Sequence, residues 1–178
     1  KETNLKIQEL IIFPKIFDIY NYKNFNIRKI KFENTDLELD LKNLKIFSKN
    51  ILKFEKKVFF KNLNLNVKDG KKNFINLKNI NYSNYGYNKN IIEGEIFKRK
   101  FEINLKDKLK NFNFKLLGTG IYASLNISEY ISEKKFTGRL KGKILKSNFK
   151  IDFVFDADEI KVKEFIFRDK KLSFNSSG

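Results

Sequence analysis

Residues 136–178 read FTGRLKGKILKSNFKIDFVFDADEIKVKEFIFRDKKLSFNSSG, and this stretch decides the fold. Within it Phe149, Ile151, Phe153 and Phe155 alternate with Asn148, Lys150, Asp152 and Asp156. A period of two places the apolar set on one face of a strand, and only Val154 interrupts the polar row. Asp156-Ala157-Asp158-Glu159 is poor strand and good turn material, so the chain is expected to reverse there and return over 160–167. A second reversal at Arg168-Asp169-Lys170-Lys171 precedes a short strand over 172–175. The unit is an antiparallel meander, polar on one side and apolar on the other.

The same rhythm extends upstream. Phe101, Ile103 and Leu105 face one way, with Glu102 and Asn104 opposite; Phe112, Phe114 and Leu116 alternate with Asn111, Asn113 and Lys115. Gly118-Thr119-Gly120 breaks the run, and Ile121, Ala123, Leu125 and Ile127 resume it. Further back, Leu63, Leu65 and Val67 alternate with Asn62, Asn64 and Asn66, before an Asp69-Gly70 pair that favours a hairpin into a strand over 74–82. Residues 83–90 read as a loop with Gly86 at its tip, and 91–97 as a strand leading to Lys98-Arg99-Lys100. Near the start, 5–13 reads as a strand with a slip before Pro14. Ile27, Ile30, Phe32 and then Leu37, Leu39 and Leu41 suggest two strands joined by a tight turn at Glu33-Asn34-Thr35-Asp36.

One segment follows another period. Leu41, Leu44, Phe47, Ile51 and Phe54 recur at three and four residues, which predicts a short amphipathic helix over 42–53, within 41–54. An apolar stripe of this kind ordinarily marks burial against a sheet. About ten strands and one helix are expected, with a β meander over 58–178 and no internal boundary along 1–178.

Composition narrows the chemistry. The chain has 178 residues, 41% of them hydrophobic, enough for one domain with a core. It holds neither His nor Cys, which removes Ser-His-Asp, Cys-His and HExxH chemistry, thiolate nucleophiles and disulfides. The longest apolar run, Leu10-Ile11-Ile12-Phe13, is far short of a membrane-spanning helix. The opening Lys1-Glu2-Thr3-Asn4 is not a signal peptide, and the ending falls in mid-pattern, so the sequence reads as a segment of a longer chain. A net charge of +17 ordinarily directs attention to nucleic acid or anionic membranes. Here Lys, Asn, Ile and Phe are abundant together, as AT-rich codons produce, so mutational bias accounts for much of the excess Lys.

Asp156, Asp158 and Glu159 lack the spacing of a calcium loop and read as a solvated turn. Gly138 and Gly142 in TGRLKG do not join a strand to a helix, so they are not a phosphate cradle but glycines of a strand start. Ile96-Phe97-Lys98-Arg99-Lys100-Phe101 interleaves rings and cations as a single-strand nucleic-acid binder would, yet it sits at a hairpin where a cationic turn is ordinary. No metal, cofactor, nucleic-acid partner or catalytic group is therefore expected, and the chain is not read as an enzyme.

The apolar face is different because nearly every strand repeats it. It is either the core of a sandwich or the floor of a trough. One helix is too little cover for about ten strands. A trough in water is unfavourable unless filled, and at about 0.8 kcal/mol per methylene an acyl chain of roughly fifteen gains on the order of 12 kcal/mol. Phe101, Ile103, Leu105, Phe112, Phe114 and Leu116, then Ile121, Leu125 and Ile127, then Phe149, Ile151, Phe153 and Phe155, are the candidate lining.

TGRLKGKIL followed by an apolar strand and DADEIKVKEFIFRDKKLSFNSSG resembles the AsmA-like family, as do VFFKNLNLNVKDGKKNFINLKNI, IIEGEIFKRKFEINL and FNFKLLGTGIYASLNI. The resemblance covers most of 58–178. It implies a mostly β, antiparallel meander curled into an open groove, part of a periplasmic protein of Gram-negative bacteria anchored in the inner membrane. It also implies phospholipid as ligand, the inner and outer membranes as partners through parts of the full-length chain, and a role in outer-membrane biogenesis. It supplies no catalytic residues. Two other readings stay open: a structural or adhesive β-repeat module whose apolar face is ordinary core, and an outer-membrane barrel, which would expect longer strands and aromatic girdles.

Overall fold

The alternation read from the sequence is realised in twelve strands in the computed structural model, which describes residues 4–16, 20, 26–43, 47, 50, 54–70, 72–106, 110–132, 135–156, 159–170 and 172–177. The strands are β1 (Asn4–Pro14), β2 (Ile27–Asp40), β3 (Lys57–Asp69), β4 (Lys72–Ser83), β5 (Ile91–Ile96), β6 (Arg99–Lys106), β7 (Asn111–Leu116), β8 (Ile121–Ser132), β9 (Lys135–Ile144), β10 (Ser147–Asp156), β11 (Glu159–Arg168) and β12 (Ser173–Ser177). The fold is mostly β, as expected. The chain forms two compact units, Lys1–Lys98 and Arg99–Gly178. Within each, strands lie side by side in chain order.

In the first unit β1 and β2 are antiparallel, as are β3 with β4 and β4 with β5. The pair β2 and β3 is parallel, which departs from a purely antiparallel meander. A parallel pair needs a crossover of a dozen residues or more, and 41–56 supplies it. Leu41, Lys42, Asn43, Phe47 and Asn50 are helical there; the remainder of the helix expected over 42–53 lies outside the described residues.

The turn expected at 33–36 does not exist, because β2 runs straight through it. Its change of parity comes from Asn34, whose φ of 48° is left-handed and shifts the in-out alternation by one residue. Asn62 in β3 (φ 57°) and Asn79 in β4 (φ 51°) do the same. Asn is one of the few side chains that tolerates this conformation. The three form a line across the sheet: Asn62 Nδ2 donates to Asn34 Oδ1 at 3.1 Å, and the Asn79 amide donates to Asn64 Oδ1 at 3.2 Å. Because neighbouring strands switch together, apolar residues on both sides of the line keep to one face. Leu37, Leu39, Val58, Phe60, Leu63, Val67, Ile80 and Tyr82 are all buried there, with the Phe32 and Phe60 rings stacked at 4.7 Å.

The second unit is the antiparallel meander that the sequence predicts, from β6 to β12. Gly118 and Gly120, both at positive φ, turn β7 into β8. Asp152 faces Glu164 while Phe153 faces Val162, so Lys163 is an extra residue and β11 carries a bulge. That bulge keeps Phe165, Phe167, Val162 and Ile160 on one face although their parity changes. No connection between β6 and β12 exceeds four residues.

Candidate functional site

Strand register decides which side chains of the second unit share a face. Phe101, Ile103 and Leu105 stand opposite Leu116, Phe114 and Phe112. Phe112, Phe114 and Leu116 in turn stand opposite Leu125, Ala123 and Ile121. Leu125 and Ile127 face Leu140 and Gly138 across the next pair. Phe149, Ile151, Phe153 and Phe155 face Gly142, Leu140, Gly138 and Phe136. All thirteen candidate lining residues therefore lie on one side of the sheet. Phe101 and Leu105 are buried and belong to packing; the other eleven are half-buried. Among the described residues of this unit no helix lies over them.

The face contains members that the candidate set left out. Phe136, Gly138, Leu140, Gly142 and Ile144 form its row on β9, and Phe165 and Phe167 extend it onto β11. The glycines shape it. A methyl group placed on Gly142 would come within 2.4 Å of Phe149 Cζ, and one on Gly138 within 2.6 Å of Phe153 Cζ. Each ring thus lies over the strand beside it rather than standing up from its own, the cross-strand arrangement by which an aromatic covers a glycine. Phe136 stacks on Phe155 at 4.9 Å and meets Phe153 edge-on at 6.3 Å. The result is a low floor of rings and glycine backbone.

The opposite side is held by charge. Arg139 Nε and Nη2 donate to the two carboxylate oxygens of Asp152 at 2.6 and 3.0 Å. Lys150 Nζ lies 3.0 Å from Asp152 and 2.6 Å from Glu164. The Arg139 bond, followed by Lys150, holds the Asp152 carboxyl down at about 2. Lys150 is raised above the ordinary lysine value by its bonds to Glu164 and Asp152. Asp156 is lowered by Lys135, 2.8 Å away. These pairs tie β9, β10 and β11 together on the polar side, so no one-residue slip can turn the apolar row outward without breaking them.

The other sequence candidates separate. Asp156 is engaged with Lys135, Glu159 lies 3.9 Å from Lys161, and Asp158 is outside the described residues. Of the interleaved stretch, Phe97 is exposed in a two-residue turn with Lys98, both at positive φ, whereas Phe101 is buried. Arg99 and Lys100 belong to β6 instead of that turn. A cleft of about 350 Å³ opens on the polar side, where Tyr122, Lys141, Lys150, Ile166 and Arg168 meet; it does not touch the apolar row's side chains other than at Phe149. Comparison with protein-family models, with curated proteins and with solved structures found no match.

Proposed function

We propose that the second unit binds the acyl chains of a phospholipid on its apolar face, as a segment of a periplasmic, AsmA-like lipid-transfer protein anchored to the inner membrane. One observation carries this reading: eleven large apolar side chains aligned on one side of a sheet are only half-buried. The connections within this unit are too short to cover them, because four residues cannot form a helix that lies across a sheet. A continuous apolar surface of this kind in water favours an occupant. A face open along its length would let a lipid slide from strand to strand while its release into water stays slow. No catalytic step is invoked.

The first unit supports a second reading, a structural β module. There the same alternation produces residues that are almost fully buried, Leu39 and Val67 at 1% exposure among them. Ordinary core packing accounts for that half of the chain.

Native mass spectrometry of the chain purified from a bacterial host, with extraction of whatever travels with it, separates the two. Stoichiometric phospholipid is expected, and Phe153→Asp, which places a carboxylate on the floor, removes it. A folded chain of bare mass, unchanged by lipid added in solution, would return the whole protein to the structural reading.

A further inference from the structure

The strands of the second unit end at two rims, and the rims differ. One gathers the start of β6, the β7–β8 turn, the β9–β10 turn and the β11–β12 turn. By sequence its segments, 99–100, 117–120, 144–147 and 168–172, carry six basic residues and one acidic. The segments of the other rim, 106–110, 132–135 and 156–159, carry five of each. A general surplus of Lys would load both alike.

Two further features bear on the basic rim. Its described cations Arg99, Lys100, Lys146, Arg168 and Lys170 take part in no ion pair among the described residues, as is also true of Lys106, Lys115, Lys141, Lys143 and Lys163, whereas Lys135, Arg139, Lys150 and Lys161 are engaged. Large aliphatic side chains stand among them in water: Leu117, Ile144, Leu145 at 67% exposure and Leu172 at 69%. Leu145 occupies a left-handed turn position (φ 58°), where a leucine is strained. Ile144 is also the last member of the β9 apolar row, so the apolar face runs out onto this rim.

Cations free to meet phosphates, beside aliphatic tips able to enter the acyl boundary, match an anionic lipid surface in both charge and polarity. We propose that this rim docks on the surface of an anionic phospholipid bilayer, edge first, and that the apolar face meets the membrane there. The docking rests on the rim alone; that lipid passes from it to the face rests on the function proposed above.

Co-sedimentation with vesicles tests the docking. Vesicles of phosphatidylcholine containing phosphatidylglycerol are expected to bind the chain about tenfold or more above phosphatidylcholine alone, with the advantage shrinking as salt rises. Lys146→Glu with Arg168→Glu is expected to weaken binding at least tenfold, and Leu145→Asp with Leu172→Asp by a similar factor. All four positions are exposed turn or strand-end sites, so an unchanged urea midpoint accompanies each double variant. Absence of binding by the folded chain would overturn the proposal, as would binding that neither variant weakens. So would a single-stranded oligonucleotide that displaces the chain from anionic vesicles, since the rim would then be a polyanion site. Bound lipid in the purified chain is read separately, so the face and the rim fail independently.

Discussion

Replacing Gly142 with alanine tests how closely the β8 backbone approaches β9 beside the Phe149 ring. The new Cβ would stand 2.4 Å from Phe149 Cζ, 2.5 Å from Cε1 and 2.8 Å from the Tyr122 carbonyl oxygen. The ring can swing aside at the cost of an off-rotamer side chain, about 0.5–1.5 kcal/mol. The carbonyl cannot, because it belongs to the β8 backbone paired with β9. Overpacking of this kind costs about 1–3 kcal/mol, against a gain of roughly 0.4–1 kcal/mol from the stiffer unfolded chain. A net loss of about 1–2 kcal/mol follows, or a Tm lower by about 2–8 °C in a chain of this size. Gly138→Ala is the control, since the three atoms nearest its new Cβ all belong to the Phe153 ring, the first at 2.6 Å, and none to the backbone. There the ring's displacement and the chain-stiffening gain nearly cancel, and the change should stay within about 0.5 kcal/mol of zero. Urea midpoints and thermal melts of both variants decide the matter. If Gly142→Ala proves no less stable than Gly138→Ala, the close approach of β8 backbone to β9 described above is wrong.

Asp152→Asn addresses the polar side. The Asp152 carboxyl sits at about 2, below its unfolded value near 3.9, so its contribution is fully present above pH ~4 and disappears as pH falls through about 2. Discounted for solvent screening, that is about 1 kcal/mol, and the stability gap between wild type and variant should close on acidification; a gap that persists at pH ~2 would mean another origin. Asn62 reports on the left-handed line. Glycine there keeps the conformation and loses only side-chain bonds, whereas valine adds about 1–2 kcal/mol of backbone strain, so urea denaturation should rank Asn62→Val clearly below Asn62→Gly. Equal losses would place Asn62 in an ordinary strand conformation.

Most of the second unit was legible in the sequence because each of its strands pairs with its chain neighbour. The acidic turn after Asp156 and the basic one after Arg168 both appear where the residues indicate. The row on β9 is masked in the sequence because two of its five members are glycines; with Gly counted as apolar at alternate positions, Phe136, Gly138, Leu140, Gly142 and Ile144 form a regular row. In the first unit Glu33-Asn34-Thr35-Asp36 has turn composition, yet a turn needs the chain to reverse. A single left-handed Asn changes parity without reversal, and the signal for it was a parity change in register with another Asn at the same phase of β3. The parallel pairing of β2 with β3 had a signal too, the helical period between them, which calls for a crossover as readily as for a plug.

That crossover also explains why one alternation produces two outcomes. Residues 41–56 are long enough, and apolar enough at helical spacing, to form a second layer, and the unit that contains them buries Leu37, Leu39, Val58 and Phe60. From β6 onward no connection exceeds four residues, so this unit has no segment to spend on a second layer. Its apolar row must then be covered from outside or remain half in water. A second protein surface would satisfy the floor of rings equally well, but it would give no reason for a surplus of cations and exposed leucines to gather at one end of the same strands. A lipid surface accounts for both with one chemistry: phosphate for the cations, acyl chains for the leucines and for the row that runs out between them.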